Sequence, residues 1–290
     1  MEIISPGEIT QHFIDIEKVI ASKNEHLLKV LPGFIIRYLK RIIHQDEINA
    51  SIYNNREKFG LDFIAAILQE YDIRQEVVDG RKDRTNPEVI PSTGRLLIVS
   101  NHPLGGLDGM ALMHRVGAIR PDIVFPVNDL LMNVPGLKPL FIPINKHGKN
   151  TDNIRILDET FASGKTILYF PAGLVSRKRK GVIHDLEWKK TFISKARKFQ
   201  RDILPVYVSG RNSNFFYNLA NWRRKLGINF NIEMLYLVDE MVKQKGNEIR
   251  LIFGDPIPYR TFDRSRSDVR WADYVCQIVY DLADAGKSER

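Results

Sequence analysis

The chain has a single cysteine, Cys276, and no long uninterrupted run of apolar residues. One cysteine excludes an intrachain disulfide framework and is typical of a protein from a reducing compartment. No stretch reaches the roughly 18 apolar residues that a membrane-spanning helix needs. Residues 1–8 lack a basic region followed by an apolar run, so no signal peptide is predicted. If the protein meets a membrane, we expect it to lie on the surface.

Negative charge is also in deficit. The 290 residues carry 43 lysines and arginines against 35 aspartates and glutamates, which gives a formal charge of +8. This excess favours an anionic partner, whether nucleic acid, anionic lipid or an acidic carrier protein. The hydrophobic content of 43% suffices for a sizeable core, in one large domain or in one domain with a helical extension.

The pattern of apolar residues divides the chain into three predicted segments, 1–84, 85–262 and 263–290. The first has helical spacing and predicts an N-terminal helical segment, either two or three helices packed on a core or a segment in which 34–41 is an amphipathic helix at a membrane interface. In the second, short β-rich runs alternate with helical stretches, which predicts an α/β domain whose mostly parallel or mixed sheet is covered by helices. The third predicts a C-terminal helix packed on that domain. Strands are predicted at 95–100, 123–127, 140–144, 166–170, 203–209, 231–237 and 249–253, and helices at 110–116, 150–162, 187–199 and 267–285.

The most informative segment, 96–109, joins an apolar strand to a glycine-rich turn. The strand delivers His102 to the turn, and Asp108 follows on the far side. Activation of a hydroxyl needs a base that titrates near neutral pH and a group that holds it in one tautomer, and this pair can supply both. Loops at the carboxyl ends of strands are where α/β sheets bind ligands. The segment therefore predicts an active site for acyl transfer, with turn capping as the alternative role. The further candidates in this block are Asn101, Gly105 and Gly106.

Three more blocks follow apolar strands with polar or basic residues. The second, 136–146, ends in Asn145 and Lys146 and by itself also fits plain scaffold. The third, 167–180, ends in a Pro–Gly turn and four consecutive cations, which suit a phosphate or carboxylate, although a solvated basic loop is the alternative. The fourth, 203–212, is a buried-type strand that ends in Gly and Arg. The third-block candidates are Phe170, Pro171, Gly173, Ser176, Arg177 and Lys178.

In this order, the four blocks resemble those of the lysophospholipid acyltransferases, the PlsC-like 1-acylglycerol-3-phosphate acyltransferase family. That family carries Asn-His-x4-Asp, a block similar to Phe-Ile-x-Arg, then Phe-Pro-Glu-Gly-Thr-Arg-Ser, then an apolar-Pro-Val block. The resemblance covers about 85–260. Here the His-to-Asp spacing is one residue longer, and we expect the glycines between them to absorb it, since glycine tolerates positive φ. The family's Glu, Thr and Arg of the third block are replaced by Ala172, Leu174 and Val175. With these departures, the pattern of this sequence is closer to the hemolysin-like branch of the family. That branch includes O-acyltransferases of bacterial aminolipids such as ornithine or glycine lipids.

The resemblance implies an O-acyltransferase that moves a fatty acyl group from an acyl thioester, on acyl carrier protein or CoA, to the hydroxyl of a lyso-lipid. The acceptor is either a lyso-aminolipid or lysophosphatidic acid. His102 is expected to act as general base and Asp108 to orient it, with backbone amides near Gly173 stabilising the oxyanion. Arg177 and Lys178 are expected to hold the acceptor's anionic group.

The same resemblance sets the expected surroundings of the protein. No metal or organic cofactor is expected, because the thioester carrier is a co-substrate. The expected partners are acidic acyl carrier protein or acyl-CoA, the lyso-lipid and an anionic membrane surface, without nucleic acid. We expect a peripheral place on the cytoplasmic side of the inner membrane.

Other interpretations of the sequence stay open. A thioester or lipid hydrolase would use the same His and Asp, but there is no Gly-x-Ser-x-Gly segment, and Ser100 precedes His102 directly, which is poor geometry for a triad. The changed third block also allows a catalytically inactive membrane-surface protein. A nucleic-acid-binding module is disfavoured, because the basic residues are spread over many segments. His184, Asp185 and Glu187 lie close together without metal-ligand spacing.

Overall fold

The N-terminal part of the protein is helical. The structure is a computed structural model that describes residues 5, 13–23, 25–127, 132–143 and 150–285. Along α5 the apolar residues fall on one side, and Phe63 and Ile64 are buried in the main core. No helix among these residues has the length and apolarity needed to cross a bilayer. The N-terminal helices are α1 at Ile16–Lys23, α2 at Glu25–Val30, α3 at Gly33–Ile42, α4 at Gln45–Asn54 and α5 at Leu61–Glu70.

The strands form one central sheet and two small ones. They are β1 at Arg74–Asp79, β2 at Leu96–Ser100, β3 at Phe125–Val127, β4 at Phe141–Pro143, β5 at Ile167–Tyr169, β6 at Arg177–Arg179, β7 at Val182–His184, β8 at Asp202–Val208 and β9 at Glu248–Phe253. The central sheet has the order β1, β9, β8, β2, β5. Its pairs are parallel except β8 with β9, as expected for a mostly parallel or mixed sheet. β3 and β4 form a parallel pair, and β6 and β7 form a hairpin.

Helices cover both faces of the central sheet, which confirms the predicted α/β class. Every residue of β2 is buried. Leu96 and Ile98 pack into the core cluster that contains α5 and α6, whereas Leu97 and Val99 pack into the cluster of α8 and α11. Successive residues of a strand point to opposite faces, so this division follows from the pleat. The remaining helices are α6 at Gly106–Gly117, α7 at Asn150–Ala162, α8 at Thr191–Phe199, α9 at Asn214–Lys225, α10 at Leu237–Val242 and α11 at Asp268–Ala285, with 3-10 helices at Pro135–Leu140, Ile232–Tyr236 and Tyr259–Thr261.

The direction of the strands brings three of the four blocks together. β2, β5 and β8 are parallel neighbours, with Val99 opposite both Tyr169 and Pro205. The first, third and fourth blocks therefore leave the sheet on the same side, at the carboxyl ends of these strands. We call this side the carboxyl edge of the sheet, and the side at their amino ends the opposite edge. β1 and β9 run the other way, because β9 is antiparallel to β8.

Three expectations about single elements are wrong. The strand predicted at 231–237 is a 3-10 helix that leads into α10, because its apolar residues pack against Phe216 and Tyr217 in one cluster instead of alternating across a sheet. β1 lies within the segment predicted to be helical, where its mostly exposed and polar sequence carries no strand signal. α8 begins at Thr191 rather than at 187. The three-segment division stays a prediction, although β1 shows that the central sheet draws on residues before 84.

Candidate active site

His102 and Asp108 face each other where β2 leads into α6. Nδ1 of His102 lies 2.9 Å from Oδ2 of Asp108. A carboxylate only accepts hydrogen bonds, so the proton of the neutral ring sits on Nδ1 and Nε2 is the basic nitrogen. The His102 side chain is 17% exposed, whereas that of Asp108 is fully buried. Nε2 has no hydrogen-bond partner within the described residues, which leaves it accessible to a hydroxyl.

The carboxylate of Asp108 is held by the turn that precedes it. Its oxygens accept the backbone N–H of Leu104, at 2.9 Å from Oδ2, and of Gly105, at 3.1 Å. Burial raises the pKa of Asp108, and the hydrogen bonds from His102 and Leu104 act against that rise. These donors, together with the first turn of α6, favour the charged form that orients the imidazole.

Gly105 has the backbone conformation expected for a glycine in the lengthened turn between His102 and Asp108. Its φ is +79°, in the region that favours glycine, and it stands just before α6. A Cβ here would lie 3.3 Å from the side chain of Leu237, so the site is closed to larger residues by packing as well. Gly106, the second predicted glycine, is exposed as the first residue of α6 and does not have positive φ.

Phe170 of the third block supports the ring of His102. The two rings are stacked with centroids 4.2 Å apart and planes inclined by 22°. Phe125, which the sequence did not single out, packs edge-on against Phe170 at 5.4 Å. The backbone N–H of Ser176 donates to the carbonyl of His102 at 2.8 Å. The third block is thus built onto the first, and one face of the imidazole is covered.

The turn of the third block uses its own polar groups internally. Gly173 is exposed with φ of +63°, but its N–H donates to the carbonyl of Phe170 at 3.0 Å, so this amide is not free for an oxyanion. The carbonyl of Pro171 accepts the N–H of Lys189 at 3.1 Å. Ser176 is buried, and its hydroxyl donates to Asp185 at 2.5 Å instead of facing a ligand.

Arg177 is committed to the protein interior. It is 7% exposed, and its guanidinium lies 2.8 Å from Oε1 of Glu233, whose other oxygen accepts from Arg223 at 2.9 Å. Glu233 is fully buried, so this pair joins the third block to the segment before α10. The structure therefore assigns Arg177 an internal ion pair and not the acceptor's anionic group.

Lys178 faces a second cation instead. Its Nζ lies 3.3 Å from Oδ1 of Asn214, and Nη2 of Arg211 lies 2.9 Å from the same oxygen. Arg211 belongs to the fourth block, in which the sequence analysis named no site residue. Two positive charges thus converge on one neutral amide at the carboxyl edge of the sheet.

Asn101 links two strands at the edge of the site. It is buried, and its side chain accepts the N–H of Val208 at 2.7 Å and donates to the carbonyl of Val208 at 2.9 Å. The predicted substrate contact is therefore replaced by a tie between the ends of β2 and β8. Asn145 and Lys146, the candidates of the second block, lie outside the described residues.

Asp185 reaches the site from far away in the sequence. It accepts the backbone N–H of His102, 83 residues earlier, at 3.2 Å. No local spacing connects the two, so only the folded chain reveals the contact. The described part of the chain contains no group of three His, Cys, Asp or Glu side chains arranged to hold a metal ion.

A family model for acyltransferases matches residues 18–286. The chain belongs to this acyltransferase family. Lyso-glycine lipid O-acyltransferase of Bacteroides thetaiotaomicron is 46% identical over 271 residues, which cover 93% of this chain and 97% of that protein. The protein of the same name from Phocaeicola vulgatus is 45% identical over 271 residues, which cover 93% and 95%.

This acyltransferase is also similar to a solved structure, the 1-acyl-sn-glycerophosphate (LPA) acyltransferase PlsC of Thermotoga maritima. The sequence identity is 17% and the TM-score is 0.48, over 93% of this chain and 94% of that one. The family membership confirms the resemblance inferred from the four blocks and makes the protein an enzyme.

Proposed function

We propose that this acyltransferase esterifies the free hydroxyl of a lyso-glycine lipid with a fatty acyl group taken from a thioester. The observation that carries the proposal is the 2.9 Å contact between Nδ1 of His102 and Asp108, which leaves Nε2 basic and accessible. The acceptor follows from the two relatives named lyso-glycine lipid O-acyltransferase, each of which matches 93% of this chain.

The proposed reaction needs one base and no acyl-enzyme. Nε2 of His102 takes the proton of the acceptor hydroxyl while its oxygen attacks the thioester carbonyl. The carboxylate of Asp108 stabilises the imidazolium through Nδ1. When the tetrahedral intermediate collapses, the carbon–sulfur bond breaks and the imidazolium returns the proton to the leaving thiolate. The products are one ester and one free thiol, and His102 is again neutral.

We assign the carboxylate of the acceptor's glycine headgroup to Lys178 and Arg211. Both donate to Oδ1 of Asn214, and neither forms an ion pair with a carboxylate in the described residues. Lys178 belongs to the third block, which packs on His102, and Arg211 follows the carboxyl end of β8. Two cations that converge on a neutral oxygen repel each other, and an anion placed between them would relieve that repulsion.

An exposed apolar surface with surrounding cations supports binding to an anionic membrane. Phe34 on α3 is 63% exposed and Trp222 on α9 is 69% exposed. Tyr236 joins the two helices, since its hydroxyl lies 2.6 Å from that of Tyr38 and its ring centroid lies 5.0 Å from that of Phe215. Such a surface suits a peripheral place on the cytoplasmic face of the inner membrane, where each cation adds about 1 kcal/mol of attraction. The cations on these helices include Arg37, Arg41, Arg224 and Lys225.

The thioester donor is acyl carrier protein or CoA. The β6–β7 hairpin exposes Arg179 and Lys180, the last two residues of the third block. Exposed cations at this place suit either the acidic surface of a carrier protein or the phosphates of CoA.

The test is direct acyl transfer by the purified protein. Acyl carrier thioester or acyl-CoA is incubated with lyso-glycine lipid, lyso-ornithine lipid or lysophosphatidic acid, and the products are weighed by mass spectrometry. We expect the acylated glycine lipid as the main product, with one thiol released per ester. Equal thioester consumption without any acceptor would instead show a hydrolase, and no product with any acceptor would contradict acyl transfer.

The headgroup assignment has its own test. Lys178→Ala and Arg211→Ala should each raise KM for lyso-glycine lipid about tenfold, since each removes one charged hydrogen bond, and should leave kcat within about threefold. Lys165→Ala is the matched control, because this exposed lysine stands at the opposite edge of the sheet. An unchanged KM in both variants would remove the pair from the headgroup site.

A further inference from the structure

Asp185 is a buried carboxylate at the place where the first block, the third block and α11 meet. It is 8% exposed and lies between β7 and α8. Oδ1 accepts the backbone N–H of His102 at 3.2 Å and the hydroxyl of Ser176 at 2.5 Å. Oδ2 accepts Nε1–H of Trp188 at 3.0 Å. The backbone N–H of Asp185 donates to the hydroxyl of Tyr280 on α11 at 2.7 Å.

These contacts close a ring around the backbone of His102. The N–H of His102 donates to Asp185, Asp185 accepts the hydroxyl of Ser176, and the N–H of Ser176 donates back to the carbonyl of His102. Both polar groups of the catalytic histidine's main chain are therefore used. A shift of any member would move the point from which the imidazole projects.

Burial of the Asp185 carboxylate lowers the stability of the fold, and a role in placing His102 explains why a carboxylate stands here. It forms no ion pair within the described residues, and a buried charge without an opposite charge loses several kcal/mol of hydration. Hydrogen bonds from uncharged donors offset part of that cost. Trp188 is itself buried in the core beneath α8, and the ring of Tyr280 stacks on His184 at 3.7 Å, so Asp185 is fixed to a rigid frame.

We propose that Asp185 is a positioning residue of the active site, which rests on the proposed function. It holds the backbone of His102 against the third block, so that the imidazole keeps both its bond to Asp108 and its stacking on Phe170. Asp185 does not touch the substrate. Asp185 acts by placing Nε2 of His102, so its loss should lower the rate of the acyl-transfer step and not the binding of the acceptor.

Asp185→Asn is the most discriminating variant. It keeps the shape of the side chain and one accepting oxygen, but its NH2 group faces a donor in either orientation, the N–H of Trp188 or the N–H of His102, so at least one of the contacts that fix the carboxylate is lost. We expect kcat to fall about ten- to hundredfold, the cost of a misplacement of about 1 Å, with KM for the acceptor nearly unchanged. The ring 15N resonances of His102 should shift in the free enzyme.

The matched control is Asp122→Asn. Asp122 also accepts side-chain and backbone donors, from Arg120 and from the N–H of Thr166, but at the opposite edge of the sheet. This control should lose stability while kcat per folded molecule and the His102 resonances stay at wild-type values. A folded Asp185→Asn protein with wild-type kcat and unshifted resonances would overturn the proposal.

Two more variants keep the question decidable if Asp185→Asn does not fold. Trp188→Phe and Ser176→Ala each remove one donor to Asp185, and each should lower kcat by a smaller factor. Their double variant should lose less than the product of the two single losses, because both act through one carboxylate. Independent, fully multiplicative losses would refute a shared role. If the wild-type protein acylates no lyso-lipid, the proposed function fails, and the His102 resonances still decide the role of Asp185.

Discussion

The two edges of the central sheet both bury charged groups, but they use them differently. At the carboxyl ends of β2, β5 and β8, the pair His102 and Asp108 leaves one ring nitrogen without a partner in the described residues. At the amino ends, Arg201 is fully buried and its guanidinium donates to five backbone carbonyls at 2.5 to 3.3 Å. The carboxyl edge leaves Nε2 of His102 open to a ligand, whereas at the opposite edge the donors of Arg201 all bind backbone carbonyls.

Perturbed ionisation alone would not tell the two edges apart. Burial lowers the pKa of Arg201 to about 10, just as burial raises the pKa of Asp108. Both groups would therefore be flagged as functional candidates. What separates them is that Asp108 accepts from His102, whose Nε2 has no partner in the described residues, whereas the carbonyls around Arg201 use its donors completely.

Among the variants that test this difference between the two edges, His102→Ala should have the largest effect, and it should fall on kcat. The variant loses the general base, and we expect kcat to fall by about 10²–10⁴, while the free energy of unfolding falls by about 1–2 kcal/mol because the buried carboxylate of Asp108 loses one donor. Acyl transfer and urea unfolding measure the two quantities. A well-folded variant with the wild-type kcat would show that the open nitrogen is not the base.

Arg201→Met should show the reverse behaviour. The variant leaves several buried carbonyls without a donor, and we expect a loss of about 3 kcal/mol or more in the free energy of unfolding. The rate of acyl transfer per folded molecule should stay unchanged. Arg95→Met is the control at the same edge, because Arg95 is exposed and should matter by less than about 0.5 kcal/mol. A large fall in kcat for Arg201→Met would mean that the two edges are coupled.

The smallest effect is expected at Asp79, at the carboxyl end of β1. It pairs with Phe253 of β9, and β1 is the outermost strand of the central sheet next to β9. Hydrogen bonds from the Arg81 guanidinium, both at 2.9 Å, lower the pKa of Asp79. A lowered carboxyl pKa gives stability that is present at neutral pH and is lost as pH falls through the folded-state pKa. Asp79→Asn should cost about 1 kcal/mol at pH 7.

The pH dependence of that difference is the check. Unfolding curves of the wild type and of Asp79→Asn should converge as the pH falls below the lowered folded-state pKa of Asp79, where the carboxylate is protonated in both states. A difference that stays constant down to that pH would show that the charge of Asp79 contributes nothing.

Local patterns were sufficient for much of the fold and for the centre of the site. The alternation of apolar runs predicted the covered α/β sheet, and His102 with Asp108 stand only six positions apart, so one turn determines their contact. The positive φ of Gly105 follows from the same short segment. These features depend on neighbours in the chain, and neighbours can be read from the sequence.

Other features depend on partners that only the folded chain brings together. Arg177 is drawn inward by Glu233, 56 residues away, and a basic run cannot reveal which of its cations finds such a partner. The contact of Asp185 with His102 spans 83 residues. The polar strand β1 and the helical turn at Ile232–Tyr236 owe their conformations to the surfaces they pack against. Short-range spacing thus determined the contact between His102 and Asp108, and long-range packing decided which polar groups of the candidate site are used within the fold.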